Sequence, residues 1–335
     1  MNLMNSTYLK ATGAVVGIIV LLGSLAASIL FGATNFGWHT AWQAIAHYDS
    51  TVSEQVIIRT TRVPRALIAA TIGASLAIAG AIMQILTRNP LASPSVLGVN
   101  AGATLFVVTA ATVFSVSNMQ TLMWVAFLGA TTGAVTVYAL ATVGRDGMTP
   151  LKVILAGSAM AALFSSFTQG LLVLNKEGLN SVLFWLTGSI AGRSPDMLIT
   201  VFPYVLLSWL VVMLLARDMN VLMMDEDTAK GLGQRTAVIR ILAGIIVIIL
   251  AGASVSVAGP IGFIGIVIPH ISRFFVGIDN RWVLPYCILL GAILLILADL
   301  VARFIRIPEE VPVGVMTAII GVPFFMYIAR RRLAK

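Results

Sequence analysis

Arginine is the residue in this chain best suited to specific recognition, because its guanidinium presents five donors in a fixed fork that matches a carboxylate. Arg62 and Arg65 lie three apart, and so on one helical face, at the start of a long apolar run. Arg303 follows Asp299 by four residues near the end of another run, so it can face a partner or close an ion pair within its own helix. A polar island at 217–238 separates two further apolar runs. Within it Asp225 can cap a short helix, with Glu226 in the first turn and Gly231 or Gly233 ending it. Apolar Val221, Leu222, Met223 and Met224 precede that helix, a pattern that suits either an amphipathic loop folded onto its own bundle or a docking helix for a partner. Thr87-Arg88-Asn89-Pro90-Leu91 reads as a turn, since Pro90 cannot continue a helix. His270 follows Pro269 at a helix interruption and reads as a structural hydrogen-bond partner rather than a proton carrier.

None of these groups forms a reaction centre. The sequence has no Gly-x4-Gly-Lys-Ser/Thr loop to cradle nucleotide phosphates. It has no nucleophile–base pair within an apolar run, which disfavours an intramembrane protease. His39, His47 and His270 are too far apart for a metal-ligand spacing, and Cys287 is the single cysteine. No catalytic residue, metal or bound cofactor is expected. Asp299 is the only acid clearly inside an apolar run. Ion-coupled carriers place ionisable groups at the membrane midplane, so a secondary transporter is the weaker reading and the driving energy is expected from elsewhere.

The elements that hold these residues are set by composition. Hydrophobic residues make up 59% of the 335 positions and charged residues 10%, against roughly 25% charge in a soluble domain. The mean hydropathy is +0.99. Most of the surface must face lipid. The net charge of +8 does not indicate nucleic acid, because the basic residues punctuate apolar runs instead of forming a patch. Ten spans follow, at about 12–31, 63–86, 94–113, 119–142, 151–174, 197–216, 239–258, 261–277, 282–302 and 313–329. The first is too long for a signal-peptide core and reads as a retained helix. With both termini inside, fourteen of the 21 basic residues fall on the cytoplasmic side, as the positive-inside rule requires.

Gly98 and Gly102, and likewise Gly129 and Gly133, lie four apart and favour tight helix packing. Gly73-Ala-Ser-Leu-Ala-Ile-Ala-Gly80 returns as Gly252-Ala-Ser-Val-Ser-Val-Ala-Gly259, with five identities in eight, on spans predicted to run in opposite directions. Inverted halves of this kind are a transporter signature. The expected fold is all-α, one polytopic membrane domain over 1–335 with about ten transmembrane helices in two inverted-looking repeat halves.

Several motifs, in order, resemble the FecCD family of iron-siderophore and vitamin B12 ABC importer permeases. They are Arg62-Val-Pro-Arg65, the 73–80 segment, Thr87-Arg-Asn-Pro-Leu-Ala-Ser-Pro94, Thr228-Ala-Lys-Gly-Leu-Gly233, Gly262 to His270 with Arg273, Ala298-Asp-Leu-Val-Ala-Arg303 and Glu310-Val-Pro-Val-Gly314. Coverage runs from about Arg59 to Arg332. The resemblance implies a type II ABC importer permease in the bacterial cytoplasmic membrane, paired with a second permease subunit, a different chain being favoured over a second copy. It implies two cytoplasmic ATPase subunits, which carry ATP and Mg, and an extracytoplasmic substrate-binding protein. Arg62, Arg65 and Arg303 match residues that face acids on the binding protein. Asp225, Glu226, Thr228, Ala229, Gly231, Leu232 and Gly233 match the coupling helices on the ATPase. Asn89, Leu91 and, less closely, Thr149 match the inner gate. The implied substrate is a ferric siderophore, with cobalamin and haem as alternatives within the family.

Overall fold

An apolar run of twenty residues cannot remain hydrated, and helix formation satisfies its backbone internally. The computed structural model describes residues 3–4, 6–32, 34–143, 149–174, 185–224, 226–306 and 309–333, and among them there is no strand. Helices α1 (Thr7–Leu30), α2 (Trp38–Ala46) and α3 (Ser53–Ile57) come first. A π turn, Ile58–Arg62, carries α3 into α4 (Val63–Leu86) without a break. Then follow α5 (Val99–Thr112), α6 (Met119–Thr142), α7 (Pro150–Leu174), α8 (Pro195–Leu214) and α9 (Ala216–Leu222). The chain continues through α10 (Glu226–Gly231), α11 (Thr236–Ala258), α12 (Ile264–Val276), α13 (Asn280–Ile305) and α14 (Val313–Leu333).

Seven of the ten predicted spans are helices long and apolar enough to cross a membrane: α1, the continuous α3–α4, α6, α7, α8, α11 and α13. Of the other three, two are shorter apolar helices, Val99–Thr112 and Ile264–Val276, and the third falls on α14, whose apolar part among the described residues is Val313–Met326. Two of these depart from the uniform spans expected. Residues 94–97 form a 3-10 turn that Gly98 closes at φ +71°, and the chain enters α12 through Gly259 and Phe263, at φ +74° and +68°. A helix of 13 or 14 residues reaches only about 20 Å, so part of the crossing is irregular backbone. That is tolerated because protein covers it: Leu97, Gly98, Gly259 and Ile261 are all buried. A Cβ on Gly259 would lie 2.3 Å from Trp185 O, so the bend needs glycine for space as well as for conformation.

Helix α4 is the centre of the bundle. Its most apolar stretch is 89% buried, whereas that of α1 is 11% buried. A helix hydrophobic on all sides is stable in the middle of a bundle. Small residues let its neighbours approach: a Cβ on Gly73 would fall 2.2 Å from Gly291 O of α13, and one on Gly80 would fall 2.0 Å from Gly265 O of α12. The glycine pairs of α5 and α6 interlock in the same way, Gly102 against Gly129 O and Gly133 against Gly98 O.

The two copies of the repeated octapeptide lie on α4 and α11, which run antiparallel. Arg88, just past the end of α4, bonds Met224 O, close in the chain to the start of α11. Thr71, Ile72 and Ser75 meet Ala253, Ser254 and Val257 around one small cavity. The third residue of each copy does the same thing: Ser75 Oγ donates to Thr71 O and Ser254 Oγ to Leu250 O, both at 2.7 Å. The inverted relation expected from sequence is therefore also a packing relation.

Candidate functional site

Polar groups collect at the two ends of the bundle. At the first end α1 finishes, α4 begins and α13 finishes. The π turn and Pro64 at the start of α4 set the phase of Arg62 and Arg65. Arg65 grips Asp299 with two donors, Nη2–H to Oδ1 at 2.8 Å and Nε–H to Oδ2 at 3.0 Å, and its Nη1 lies 2.7 Å from Glu310 Oε2. Arg303 approaches Asp299 Oδ2 from the other side through Nε and Nη2. Its remaining donors reach Ser28 O at 2.7 Å, Ser28 Oγ at 2.9 Å and Phe31 O at 3.3 Å. Arg62 donates to Phe31 O at 2.7 Å and Thr34 O at 3.0 Å and lies over the Phe36 ring.

Three cations thus share two carboxylates, Asp299 and Glu310. The surplus positive charge rests on carbonyls at the C-terminal end of α1, where the helix dipole is negative. Buried charges persist only when paired and hydrogen-bonded, and this cluster meets that condition. Arg303 is 1% exposed and makes five hydrogen bonds from its three nitrogens, all within this chain. The alternative role, pairing with Asp299 on its own helix, is the one realised. Arg62 and Arg65 are each 8% exposed, whereas Arg59, over the Tyr48 ring, and Arg306, paired with Glu309, are exposed.

At the second end α4 finishes while α11 and α13 begin. Helices α9 and α10 form a compact pair there. Asn220 clamps α9 to the start of α13: its Nδ2–H donates to Asp279 Oδ1 and its Oδ1 accepts from Asn280 N, both at 2.8 Å. Asp279 also caps α13, accepting from Arg281 N, and hydrogen bonds from Arg281 and Asn220 hold its carboxyl down at about 2. Gln234 Nε2–H donates to Asp218 O at 2.8 Å, closing the pair. Of the predicted coupling residues, Asp225 lies outside the described residues. Glu226 begins α10, Thr228 O accepts from Leu232 N, and Ala229 is buried at 1%. Gln234 N returns to Ala229 O while Gly233 sits at φ +77°, a Schellman ending. Of the two glycines that could end the helix, Gly233 does so. Gly231 is the last residue of α10 and needs no positive φ. Leu232, Met224 and Met223 project outward, 65%, 48% and 40% exposed.

The predicted gate residues lie near this end and make local bonds. Asn89 Oδ1 accepts Leu91 N at 3.0 Å, tightening the turn around Pro90, and Thr149 Oγ1 accepts Lys152 N at 3.3 Å at the start of α7. His270 meets Phe324 edge to face. Sequence reasoning did not single out Asn220, Gln84 or Arg193, and it named Glu310 only as part of a family motif. The N-cap signal of Asp279 before α13 could have pointed to the clamp. Arg193 is buried just before α8, donating to Ser189 O at 3.1 Å, and burial pulls its guanidinium down to about 10. Among the described residues no group of three His, Cys, Asp or Glu is placed to hold a metal. The arrangement is one of polar ends on an apolar bundle.

The comparisons agree with that geometry. The FecCD transport family matches residues 18–331. The chain is 53% identical over 314 residues to "Probable siderophore transport system permease protein YfiZ" of Bacillus subtilis (strain 168), covering 94% of each. It is 44% identical to the Fe(3+)-citrate import system permease protein YfmD of the same organism, over 95% of this chain and 94% of that one. A solved chain titled "An inward-facing conformation of a putative metal-chelate type ABC transporter" superposes with a TM-score of 0.85 at 29% identity, over 96% of this chain and 99% of the other. This chain is a multi-pass membrane protein that belongs to the FecCD transport family.

Proposed function

We propose that the chain is the membrane-spanning permease of an ATP-driven importer that carries a ferric siderophore into the cell. The observation that carries this reading is full-length likeness to siderophore and ferric citrate permeases, joined to a clamped helix pair at one end of the bundle. The chain performs no covalent chemistry in this reading. ATP and Mg belong to two ATPase subunits, which press on residues 216–234 from the cytoplasm, and a second permease subunit, a different chain, completes the path. The Arg62 end faces outward in the bacterial cytoplasmic membrane, and both termini lie inside. An extracytoplasmic binding protein approaches that end, drawn by the surplus charge of the arginine cluster. Exposed Arg59 and Arg306 make first contact, ahead of the less exposed Arg62 and Arg65. The turn 89–91 and Thr149 lie at the inner mouth.

Radioiron uptake into proteoliposomes tests the proposal. Uptake of a ferric siderophore should require internal ATP and external binding protein, and should survive collapse of ion gradients by ionophores. Uptake that follows an ion gradient without ATP would establish a secondary transporter instead. Competition by excess cobalamin or haem, with none by a second ferric chelate, would move the substrate class.

A further inference from the structure

Helices α6 and α8 both pack on α11, with their early turns beside its last ones, which places their starts at the Arg62 end of the bundle. A crevice of about 130 Å³ separates them. Trp124 and Phe127 of α6 form one wall, Val201 and Tyr204 of α8 the other, and Ala253 and Ser256 of α11 the floor. The floor presents small groups, and its hydroxyl is already bonded, since Ser256 Oγ donates to Ala253 O at 2.9 Å. Exposure shows where the crevice opens. Trp124 is 45% and Tyr204 55% exposed, and the side chains one turn further along the same faces, Leu128 and Leu207, are 58% and 61% exposed. The mouth therefore faces sideways, onto the apolar perimeter of the two spans.

A cation stands above this crevice. Arg193 precedes α8 by two residues, at the level where the apolar span begins. It is 7% exposed, yet its bonds are few: Nε–H donates to Ser189 O at 3.1 Å, and Nη1 lies 3.5 Å from Met119 Sδ. Among the described residues no carboxylate pairs with it, and Asp196, the nearest acid in the sequence, accepts from Ser194 Oγ instead. Nη2 has no partner and reaches the surface. A charge this enclosed calls for a counter-charge. Met119 ties the two features together: it opens α6, and Met123, one turn or about 6 Å further in, lines the crevice. At the level between them Gln120 Nε2–H donates to Thr200 Oγ1 at 3.1 Å.

We propose that this is a binding site for an anionic phospholipid, with its phosphate against Arg193 and one acyl chain in the crevice between α6 and α8. Along the bilayer normal a phospholipid presents a charged headgroup, then polar esters, then hydrocarbon. The chain presents Arg193, then Gln120 with Thr200, then the crevice, in the same order. Trp124 and Tyr204 at the mouth are residue types that settle at membrane interfaces. A protein partner would have to supply an acid and an apolar rod separately; a phospholipid carries both in one molecule. In the proposed topology the site lies in the outer leaflet, and its chemistry does not depend on the substrate or on the seating of the ATPase.

The test uses the complete importer in nanodiscs, with phosphatidylglycerol or phosphatidylcholine probes that carry a photoreactive group on one acyl chain. Labelled peptides are read by mass spectrometry, and α1, whose most apolar stretch is 11% buried, reports contact with bulk lipid. Relative to α1, the phosphatidylglycerol probe should label 123–127 and 201–204 about 5-fold more than the phosphatidylcholine probe does, the worth of one cation near an anionic headgroup. R193Q should abolish that preference with α1 labelling unchanged, and R193K should retain most of it. Excess inorganic phosphate should leave it in place. Equal labelling by the two probes in the wild type overturns the inference, and this arm needs no variant to fold. A preference that survives in R193Q overturns it too. So does crevice labelling far below that of α1, which would show protein covering the mouth, the second permease subunit included. A preference cancelled by inorganic phosphate would make Arg193 a site for a free anion and end the lipid assignment. ATP-driven uptake of a ferric siderophore is measured separately, so failure here is distinguishable from failure of the proposed function.

Discussion

Asp299 is the residue on which most of the first end depends. It is 1% exposed and accepts from Arg65 and Arg303 at once. Removing one member of a buried ion pair leaves an uncompensated charge and costs about 3–5 kcal/mol. Asp299→Leu strips a partner from two arginines, whereas Arg303→Met leaves Asp299 still held by Arg65. Thermal unfolding in detergent should therefore show the larger loss for Asp299→Leu, and equal losses would mean that the arginines are held by the α1 carbonyls alone. Charge reversal at Arg65 would be a poor probe of docking, because it would set a third carboxylate beside Asp299 and Glu310. Asp279 gives a pH dependence with a definite sign. Its carboxyl is held at about 2, below the ordinary aspartate value of 3.8, so the charged form is favoured by the fold. The stabilisation is present above about pH 4 and lost as pH falls towards about 2. Hydrogen exchange at residues 219–224 should quicken over that window, and Asp279→Asn should remove most of the pH dependence. A pH-independent exchange rate in the wild type would show that the clamp does not depend on the carboxylate.

The α9–α10 pair is short, and isolated helices of six or seven residues do not hold themselves. Its rigidity comes from Asn220, Gln234 and the Schellman ending at Gly233. The two glycines therefore differ. A Cβ at Gly231 meets nothing within 4 Å and needs no positive φ, while one at Gly233 also meets nothing but must sit at φ +77°. An L-residue pays roughly 1–2 kcal/mol for that conformation. Gly231→Ala should leave transport and ATP turnover as in wild type. Gly233→Ala should lower the stimulation of ATP turnover by loaded binding protein and reduce uptake, with membrane insertion intact. Matching behaviour of the two variants, measured as stimulated ATPase activity, would mean that the Schellman ending has no part in coupling.

At the scale of the molecule, sidedness follows from the arrangement of the ends. Cys287 is fully buried, so the chain already has a quiet thiol background. A cysteine replacing Leu232 should react with an impermeant maleimide only in inverted vesicles, and one replacing Arg306 only in right-side-out cells. Both sites are exposed, at 65% for Leu232 and 74% for the Arg306 side chain. Labelling in the reverse pattern would invert the proposed topology. The packing also limits where the molecule can flex. The glycine contacts of α4 with α12 and α13 leave backbone within van der Waals reach, and cores of that density move as units rather than deform.

Hydropathy and helix-breaking residues are properties of a segment, which is why the amino-acid sequence alone set out the membrane class, the ten spans, the polar island at 217–238 and the inverted octapeptides. Two spans came out shorter than expected because Gly98 and Gly259 open irregular backbone inside the protein, and only burial by neighbouring helices makes that tolerable. The sequence also left Arg303 with two roles and the helix ending with two glycines, since both choices satisfy local spacing. Tertiary structure decided them. Asp299 meets Arg65 across 234 residues of chain, and Gln84 meets Gly265 across 181. Pairings of that kind depend on which helices cross and in what register. No periodicity within either segment encodes them, because the energy that selects them comes from burying charge and backbone against a distant part of the chain.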